Sequence, residues 1–255
     1  RKEFRDLTTD ERERFFSAVQ QLMTPPAPGR PSRYDKFVKD HHKYQKYGHK
    51  TPAFFSFHRT YIRGFERALQ TIDPTVMLPY FDWSIDAQAP EASSIFSEEN
   101  FGGNGDPMKE GCVTTGRFSS YAPYYPVKLL KGRTLRCIRR KFNRGNRIGA
   151  LVPVEGIVKI INDAKTYVGL SKKVELYPHA SLHNGMGLTF RSMWSPQDPI
   201  FFLHHAYIDK ILEDWQKIDM ANREFAFGGH YSNGTLANDM DILMPFRTPI
   251  RSGLS

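Results

Sequence analysis

The histidines of this chain are concentrated in two short segments, and this clustering restricts the possible folds more than any other feature. Four of the nine histidines lie between residues 41 and 58, and four lie between residues 179 and 205. His179 and His183 are four residues apart, so on a helix both rings project from one face and can reach a common point. His205 belongs to a second, strongly helical pattern. The fold is therefore expected to bring several helices together with their histidine faces inward.

The rest of the pattern predicts a mainly α fold. Thr8 and Glu11 form a capping-box start, and the helix that follows is stopped by the Pro-rich segment 25–29. Residues 86–150 are rich in Gly, Pro, Ser and Asn and are predicted to form a long irregular excursion. We expect a central four-helix bundle with long irregular loops, in one domain over residues 1–255. Further helices are predicted at about 34–44, 52–70, 154–161, 178–184 and 199–217, with short strands after residue 219.

The two histidine clusters are suited to binding metal ions. Neutral imidazoles without an evident carboxylate ligand suit copper, zinc, iron or nickel. A hydrolytic zinc site would need a base beside it, as in the pattern H-E-x-x-H, and residues 179–183 lack that pattern. Ligands of low charge favour the Cu(I)/Cu(II) couple, and two such sites facing each other would bind O2. Three nitrogens come from each cluster: from His41, His49 and His58, and from His179, His183 and His205.

Charge is distributed unevenly along the chain. The net charge is +9, and ten basic residues with no acid lie between Gly111 and Val154. This run is interpreted as a solvated loop; the alternative, a basic RNA-binding module around residues 117–147, lacks a recognised nucleic-acid motif. No stretch approaches the roughly 18 apolar residues of a transmembrane helix. We expect no nucleic-acid partner and no membrane span.

Two motifs resemble those of a known family. The segment HKTPAFFSFHR at 49–59 resembles the copper A signature of tyrosinases and catechol oxidases. The segment DPIFFLHHAYID at 198–209 resembles their copper B signature, and the pair His179 and His183 lies between the two. The resemblance extends over about residues 34–217. It implies a type-3 pair of copper ions with O2 as co-substrate.

The resemblance also implies which residues bind the metals. The approach 34–41 resembles the family's path to its first ligand, which favours His41 over His42. In the pair His204 and His205 the family uses the second, so His204 is expected to be a buried neighbour that packs and hydrogen-bonds. Asp209 is expected to hydrogen-bond near the copper B histidines. The implied ligands of copper A are His41, His49 and His58, and those of copper B are His179, His183 and His205.

Three residues near the second cluster are expected to affect activity. Glu175 resembles the acid that holds a water near the metals in many members; the alternative is an exposed acid at a helix start. Many members with strong monophenol activity carry Asn directly after the first copper B histidine, where this chain has Ala180. Asn184 instead follows the second one. This departure favours diphenol oxidation over monophenol hydroxylation.

The implied activity is the oxidation of o-diphenols to o-quinones with O2 reduced to water, accompanied by weaker ortho-hydroxylation of monophenols. The expected partners are small phenolic substrates. Two alternatives stay open: an oxidase of o-aminophenols, and a hemocyanin-like O2 carrier. Catechol turnover separates the carrier from the enzymes, whereas the motifs do not separate the two oxidases.

Outside the metal motifs, the cysteines and the chain ends carry further expectations. Cys112 and Cys137 are expected to form a disulfide, which fits a secreted protein. The chain opens at Arg1, which suggests that a leader was removed, and 50 residues follow His205, which suggests a short form without a C-terminal shielding domain. Tyr47 stands where some members carry a cysteine joined to the second copper A histidine, so that thioether cannot form.

Overall fold

The computed structural model describes residues 1–126 and 136–255, so Lys128, Lys131 and Arg133 of the basic run lie outside the described residues. Within these two ranges none of the helices combines the length and the apolar character needed to cross a membrane. The α-helices are α1 (Thr9–Met23), α2 (Arg33–Gly48), α3 (Phe54–Gln70), α4 (Val154–Asp163), α5 (Tyr167–Val174), α6 (Ala180–Met186), α7 (Ile200–Ile218) and α8 (Met220–Arg223). Two short antiparallel strands, β1 (Ile242–Leu243) and β2 (Thr248–Pro249), pair near the end of the chain.

The predicted mainly α fold is confirmed. Helices α2, α3 and α7 pack side by side, and α6 closes the bundle together with the π-helical turn Glu175–His179 that precedes it. Aromatic rings fill the contact between α3 and α7. The rings of Phe65 and Phe202 stack with their centroids 3.6 Å apart, and Tyr61 stacks on Phe202 at 5.7 Å. Burying rings of this size gives the bundle a rigid core.

Side-chain caps explain where three of the described α-helices begin. Thr8 accepts the N–H of Glu11 while the Glu11 side chain accepts the N–H of Thr8, so the predicted capping box is present. Ser32 and Asp35 form a second capping box at the start of α2. Helix α5 was not predicted, because its eight residues are too few for a clear period; Thr166 caps it by accepting the N–H of Gly169.

Helix α2 continues past its predicted end near Tyr44 and stops at Gly48. At this end it lies directly against α3. A Cβ atom built on Gly48 would lie 2.3 Å from the ring of Phe57, so only glycine permits the approach. The extra turn places His49, the residue after the helix, beside the start of α3.

The irregular excursion is held to the bundle by a buried ion pair. The guanidinium of Arg140 donates to both carboxylate oxygens of Asp198 at 2.6 and 3.0 Å, and both side chains are fully buried. Arg140 also donates to the carbonyls of Gly102 and Gly103. Asp198 in turn accepts the N–H of Ile200 at the first turn of α7. Arg140 is thus the exception to the predicted solvated run, since its charge is fully paired inside the protein.

The predicted disulfide is confirmed. Cys112 and Cys137 are bonded, with their Cα atoms 5.6 Å apart. The other described basic residues nearby fit the interpretation of a solvated loop, because their side chains are exposed or half-buried. These are Arg117, Arg136, Arg139, Lys141, Arg144 and Arg147.

Candidate metal centre

Seven histidines meet in the middle of the bundle, in two groups that face each other. Within each group, one nitrogen per ring lies within 4.8 Å of the others. The rings of His58 and His205 stack across the boundary between the groups, with their centroids 4.2 Å apart. The first group contains His41, His49 and His58, and the second contains His179, His183, His204 and His205.

The first group is assembled by two helices. His41 lies inside α2, not near its end as predicted, because that helix extends by a further turn. His49 follows the end of α2, and His58 lies one turn into α3. Their ring centroids are 4.8–5.9 Å apart.

The second group depends on a π-helical turn. Pro178 inside this turn has no N–H to donate, which interrupts the regular α-helical bonding. His179 ends the turn, and His183 follows one turn later on α6, with the two ring centroids 4.6 Å apart. His205 comes from α7 and lies 5.1 Å from His179 by the same measure.

Backbone carbonyls orient five of these rings. Because a carbonyl oxygen only accepts, each Nδ1 that bonds one must carry the proton, and Nε2 is left as a free lone pair. Each of these bonds therefore fixes both the tautomer and the direction of the ring. Nδ1 donates to a carbonyl in His41 (Met193, 2.9 Å), His49 (Gln45, 3.1 Å), His58 (Phe54, 2.8 Å), His179 (Glu175, 3.1 Å) and His183 (Phe190, 2.6 Å).

In four of these rings the Nε2 nitrogen, opposite the bonded Nδ1 atom, has no hydrogen-bond partner within the described residues. Nε2 is buried and makes no hydrogen bond within the described residues in His41, His58, His179, His183, His204 and His205. Buried polar atoms are normally satisfied, so a group of unpaired lone pairs aimed at common points fits a missing cation. Burial lowers the pKa of His183 to about 4 and holds the pKa of His41, His58, His179 and His205 well below the usual value. The rings are therefore neutral at pH 7, as metal ligands must be.

His204 differs from its neighbour in its hydrogen bonding. Its Nδ1 accepts the indole N–H of Trp83 at 3.1 Å, so in the neutral ring the proton sits on Nε2. Nε2 of His204 is also buried and unbonded within the described residues, but in this tautomer it carries a proton instead of a lone pair. Both nitrogens of His205 are buried and unbonded within the described residues, so His205 is the available ligand. His204 is fully buried, as predicted.

His42 is directed away from the first group. Its ring stacks on the indole of Trp194 with centroids 3.8 Å apart and an interplanar angle of 10°. His41, by contrast, is 1% exposed and belongs to the histidine group. The geometry thus favours the predicted choice of His41 over His42.

Asp209 is bonded to arginines in the structure, and its expected hydrogen bonding near the copper B histidines stays a prediction. Its carboxylate accepts hydrogen bonds from Arg59, which follows His58 on α3, and from Arg1 at 2.9 Å. Within residues 1–126 and 136–255 both of these partners are arginines, not histidines of the centre. A carboxylate on α7 reaches the guanidinium on the facing helix more readily than the rings buried beneath it. Asp209 therefore joins α3 to α7.

Glu175 connects the two histidine groups through the backbone. Its Oε1 accepts the N–H of Lys50 at 2.7 Å, and its carbonyl accepts Nδ1–H of His179. Lys50 follows His49 and has φ of 55°, a left-handed conformation that turns its N–H toward the carboxylate. Burial raises the pKa of the Glu175 carboxyl, and the N–H of Lys50 opposes that shift. Ala180 is half-buried at the start of α6, whereas Asn184 is exposed.

Several supporting groups were not found by sequence reasoning. Trp83 lies 121 residues from His204 in the chain, and Met193 and Phe190 orient His41 and His183 through their backbone carbonyls. No local sequence pattern predicts contacts of this kind. The π-helical turn had one local signal, Pro178 inside a helical pattern.

Comparison with known proteins gives a consistent result. A family model described as the common central domain of tyrosinase matches residues 31–218, which include all seven clustered histidines. The tyrosinase of Streptomyces glaucescens is 34% identical over 239 residues, covering 85% of this chain and 82% of that protein. A tyrosinase of Aspergillus flavus is 33% identical over 258 residues, covering 96% of this chain and 72% of that protein.

Solved structures share the fold. A variant of the polyphenol oxidase from Thermothelomyces thermophila superposes with a TM-score of 0.83 at 25% identity, covering all of this chain and 85% of that one. A functional unit of octopus hemocyanin superposes with a TM-score of 0.58 at 16% identity, covering 87% of this chain and 54% of that one. The second likeness concerns the fold alone.

Proposed function

This chain belongs to the tyrosinase family of copper oxidoreductases, and from that premise we propose that it oxidises o-diphenols to o-quinones. Two diphenols each lose two electrons and two protons, and one O2 accepts all four of each to give two waters. Bound copper supplies the one-electron redox steps of this exchange.

We assign the ligands as two sets of three. His41, His49 and His58 would hold one copper, and His179, His183 and His205 the other. The observation that carries the assignment is the common tautomer: carbonyls occupy Nδ1 in five of the six rings, and the buried Nε2 atoms converge without partners. Ligands fixed in this way need no reorganisation when they bind the metal.

The protein itself contributes access and exclusion of water. His49 and His183 are partly exposed, while the other four assigned ligands are buried. We propose that a phenol ring approaches the centre on the side of His49 and His183. The stacked rings of Phe65 and Phe202 lie on α3 and α7, the helices that carry His58 and His205, and stiffen that interface. A rigid, largely dry site keeps the ligand geometry unchanged during turnover.

Ortho-hydroxylation of monophenols is proposed as a weaker activity. A monophenol must lose its proton before it binds productively, and its ordinary pKa is about 10. Glu175 is the proposed base, acting directly or through a water, and burial, by raising its pKa, makes the carboxylate a stronger base. Ala180 offers such a water no hydrogen bond, since its side chain is a methyl group. This arrangement supports a diphenol preference.

The test is a side-by-side rate measurement with copper-loaded protein. We expect quinone formation and O2 uptake with catechol, and slower turnover of tyramine and of o-aminophenol. Reversible O2 binding without quinone would identify an O2 carrier, the function of the octopus protein's class. Faster turnover of o-aminophenol than of catechol would identify an aminophenol oxidase.

We further propose that the protein works outside the cytosol. The disulfide between Cys112 and Cys137 supports this, because disulfides persist mainly in oxidising compartments. Alkylation of freshly isolated native protein, followed by intact mass measurement without reductant, tests the point. Two alkylated thiols would contradict it.

A further inference from the structure

A cavity of about 250 Å³ lies next to the metal centre and is separate from it. At about 30 Å³ for each water, this space corresponds to roughly eight waters. The cavity can therefore hold a ligand substituent of several heavy atoms. Its walls include Lys50, Pro52, Tyr167, Val168, Lys172 and Leu176.

The cavity adjoins the centre through Lys50 and Glu175. Lys50 directly follows His49, which is partly exposed. Glu175 also lines the cavity, and its carbonyl bonds Nδ1 of His179. One edge of the cavity is thus built from residues that touch or follow ligands of both proposed coppers. A phenol ring at the centre would have its substituent near this edge.

The walls are mainly apolar. The hydroxyl of Tyr167 donates to the carbonyl of Pro52 at 2.7 Å, so its hydrogen is already used and the ring forms the wall. Gly229 lines the opposite side with φ of 112°, where an added Cβ would lie 3.1 Å from Pro52 and 3.4 Å from Val168. A larger residue at 229 would narrow the cavity as well as strain the backbone.

Positively charged side chains outnumber negatively charged ones around the cavity. Lys50 and Lys172 are exposed, and neither forms an ion pair within residues 1–126 and 136–255. Glu175 is the one carboxylate that lines the cavity, and it is engaged with the N–H of Lys50. His230 is the remaining titratable side chain of the lining apart from Tyr167. The positive charge of Lys50 also acts on Glu175, so the lining keeps an excess of one positive charge, centred on Lys172. An apolar space with this excess suits a ligand with an apolar stem and an anionic end.

We propose that this cavity binds the substituent of the diphenol and selects substrates whose side chain ends in a carboxylate. This inference rests on the proposed function, because it names the substrate class of the same site. Dihydroxyphenyl-alkanoic acids would place the ring at the centre and the carboxylate near Lys172 and Lys50. Amine-bearing catechols would meet two like charges.

The kinetic test compares three catechols that differ in charge: 3-(3,4-dihydroxyphenyl)propionate, dopamine and 4-methylcatechol. At low ionic strength we expect kcat/KM for the acid to exceed that for the amine about fivefold, mainly through KM. At about 0.5 M NaCl the ratio should fall toward one. Lys172→Gln should lower the ratio at least about twofold, and Lys172→Glu should reverse it.

Lys173→Gln is the matched control. Lys173 is exposed on the same helix as Lys172, but it does not line the cavity. Its substitution by Gln removes the same charge as Lys172→Gln does. In Lys173→Gln the ratio of kcat/KM for the acid to kcat/KM for the amine should equal that of the parent protein. Equal falls in Lys172→Gln and Lys173→Gln would overturn the inference, since the effect would then reflect net charge alone. A parent protein that prefers dopamine would also overturn it.

A binding measurement makes the inference independent of turnover. Saturation-transfer NMR on metal-free protein should show stronger binding of 3-phenylpropionate than of phenethylamine, and Lys172→Glu should remove the difference. Equal binding of the two probes would overturn the inference even if catechols are oxidised. If the acid binds selectively but no catechol is oxidised, the proposed function fails and the binding site stands.

Discussion

The indole N–H of Trp83 donates to Nδ1 of His204 at 3.1 Å, and this bond distinguishes two adjacent histidines that otherwise look alike. Both His204 and His205 are fully buried on α7, and both belong to the second histidine group. Only His205 keeps a free lone pair for a metal. In the ligand assignment proposed above, Trp83, from a distant part of the chain, makes the difference between the two histidines.

The first prediction follows from this bond. His205→Gln should bind one copper per chain and lose oxidase activity, whereas His204→Gln should still bind two. Glutamine at 204 can accept the indole N–H through its amide oxygen, so it preserves the one hydrogen bond that His204 makes. Copper-to-protein ratios of the two variants check this, with circular dichroism as the control for folding. Loss of a copper in His204→Gln alone would mean that the two roles are exchanged.

His41 and His42 provide a second adjacent pair. His41→Ala should lose one copper, since His41 lies in the first group and its Nδ1 is oriented by Met193. His42→Ala should keep both coppers and lose only the stacking contact with Trp194. Stacking of this kind is worth about 0.5–1.5 kcal/mol, so a small fall in the unfolding free energy is expected. The reverse pattern of copper loss would place the ligand one residue later.

The sequence was informative about the centre because its signals are local. The i, i+4 spacing of His179 and His183 reports a helix face directly, and the capping boxes mark helix starts. The hydrogen bonds of Asp209 are not local, and the sequence gives no signal for them. Four residues after His205, it looks like a neighbour on the same face, but its carboxylate bonds Arg59 on the facing helix and Arg1 from the start of the chain.

The length of α2 is a second feature that the local sequence does not predict. The segment after Tyr44 is polar and gives no helical period, yet the helix continues to Gly48 because the glycine packs against Phe57. Tertiary packing of this kind overrides local propensity. The extra turn is what delivers His49 to the centre.

The metal-free protein should lose stability on acidification. Burial holds the pKa of His41, His58, His179 and His205 below that of the unfolded chain, which is about 6.5. Below that pH the unfolded chain takes up protons that the folded protein cannot. The stabilisation present above pH 6.5 is therefore lost progressively as the pH falls, down to the lower folded pKa values, such as about 4 for His183.

Urea unfolding of metal-free protein between about pH 7.5 and about pH 5.5 measures this loss. Each such histidine contributes up to about 1.4 kcal/mol per pH unit to the slope. His58→Gln should flatten the slope by up to that amount. A free energy of unfolding that rises on acidification would contradict neutral burial of these rings.

Ala180 and Glu175 should set the balance between the two phenol reactions. Ala180→Asn should raise the ratio of tyramine to dopamine oxidation by about tenfold, equivalent to about 1.4 kcal/mol of barrier, by anchoring a reacting water. Glu175→Gln should lower the ratio, although its amide oxygen can still accept the N–H of Lys50. Glu175→Ala removes that acceptor too and separates positioning from proton transfer. A parent protein that hydroxylates tyramine as fast as it oxidises dopamine would contradict this role of Ala180.

The most direct test of the central claim is the copper content of each chain measured together with catechol-dependent O2 uptake. The proposed ligand sets predict two coppers per chain, and O2 uptake that rises only as the second copper binds. They also predict that His58→Gln and His183→Gln each leave one copper and no uptake. Full activity with one metal per chain, or with zinc in place of copper, would contradict the dicopper assignment.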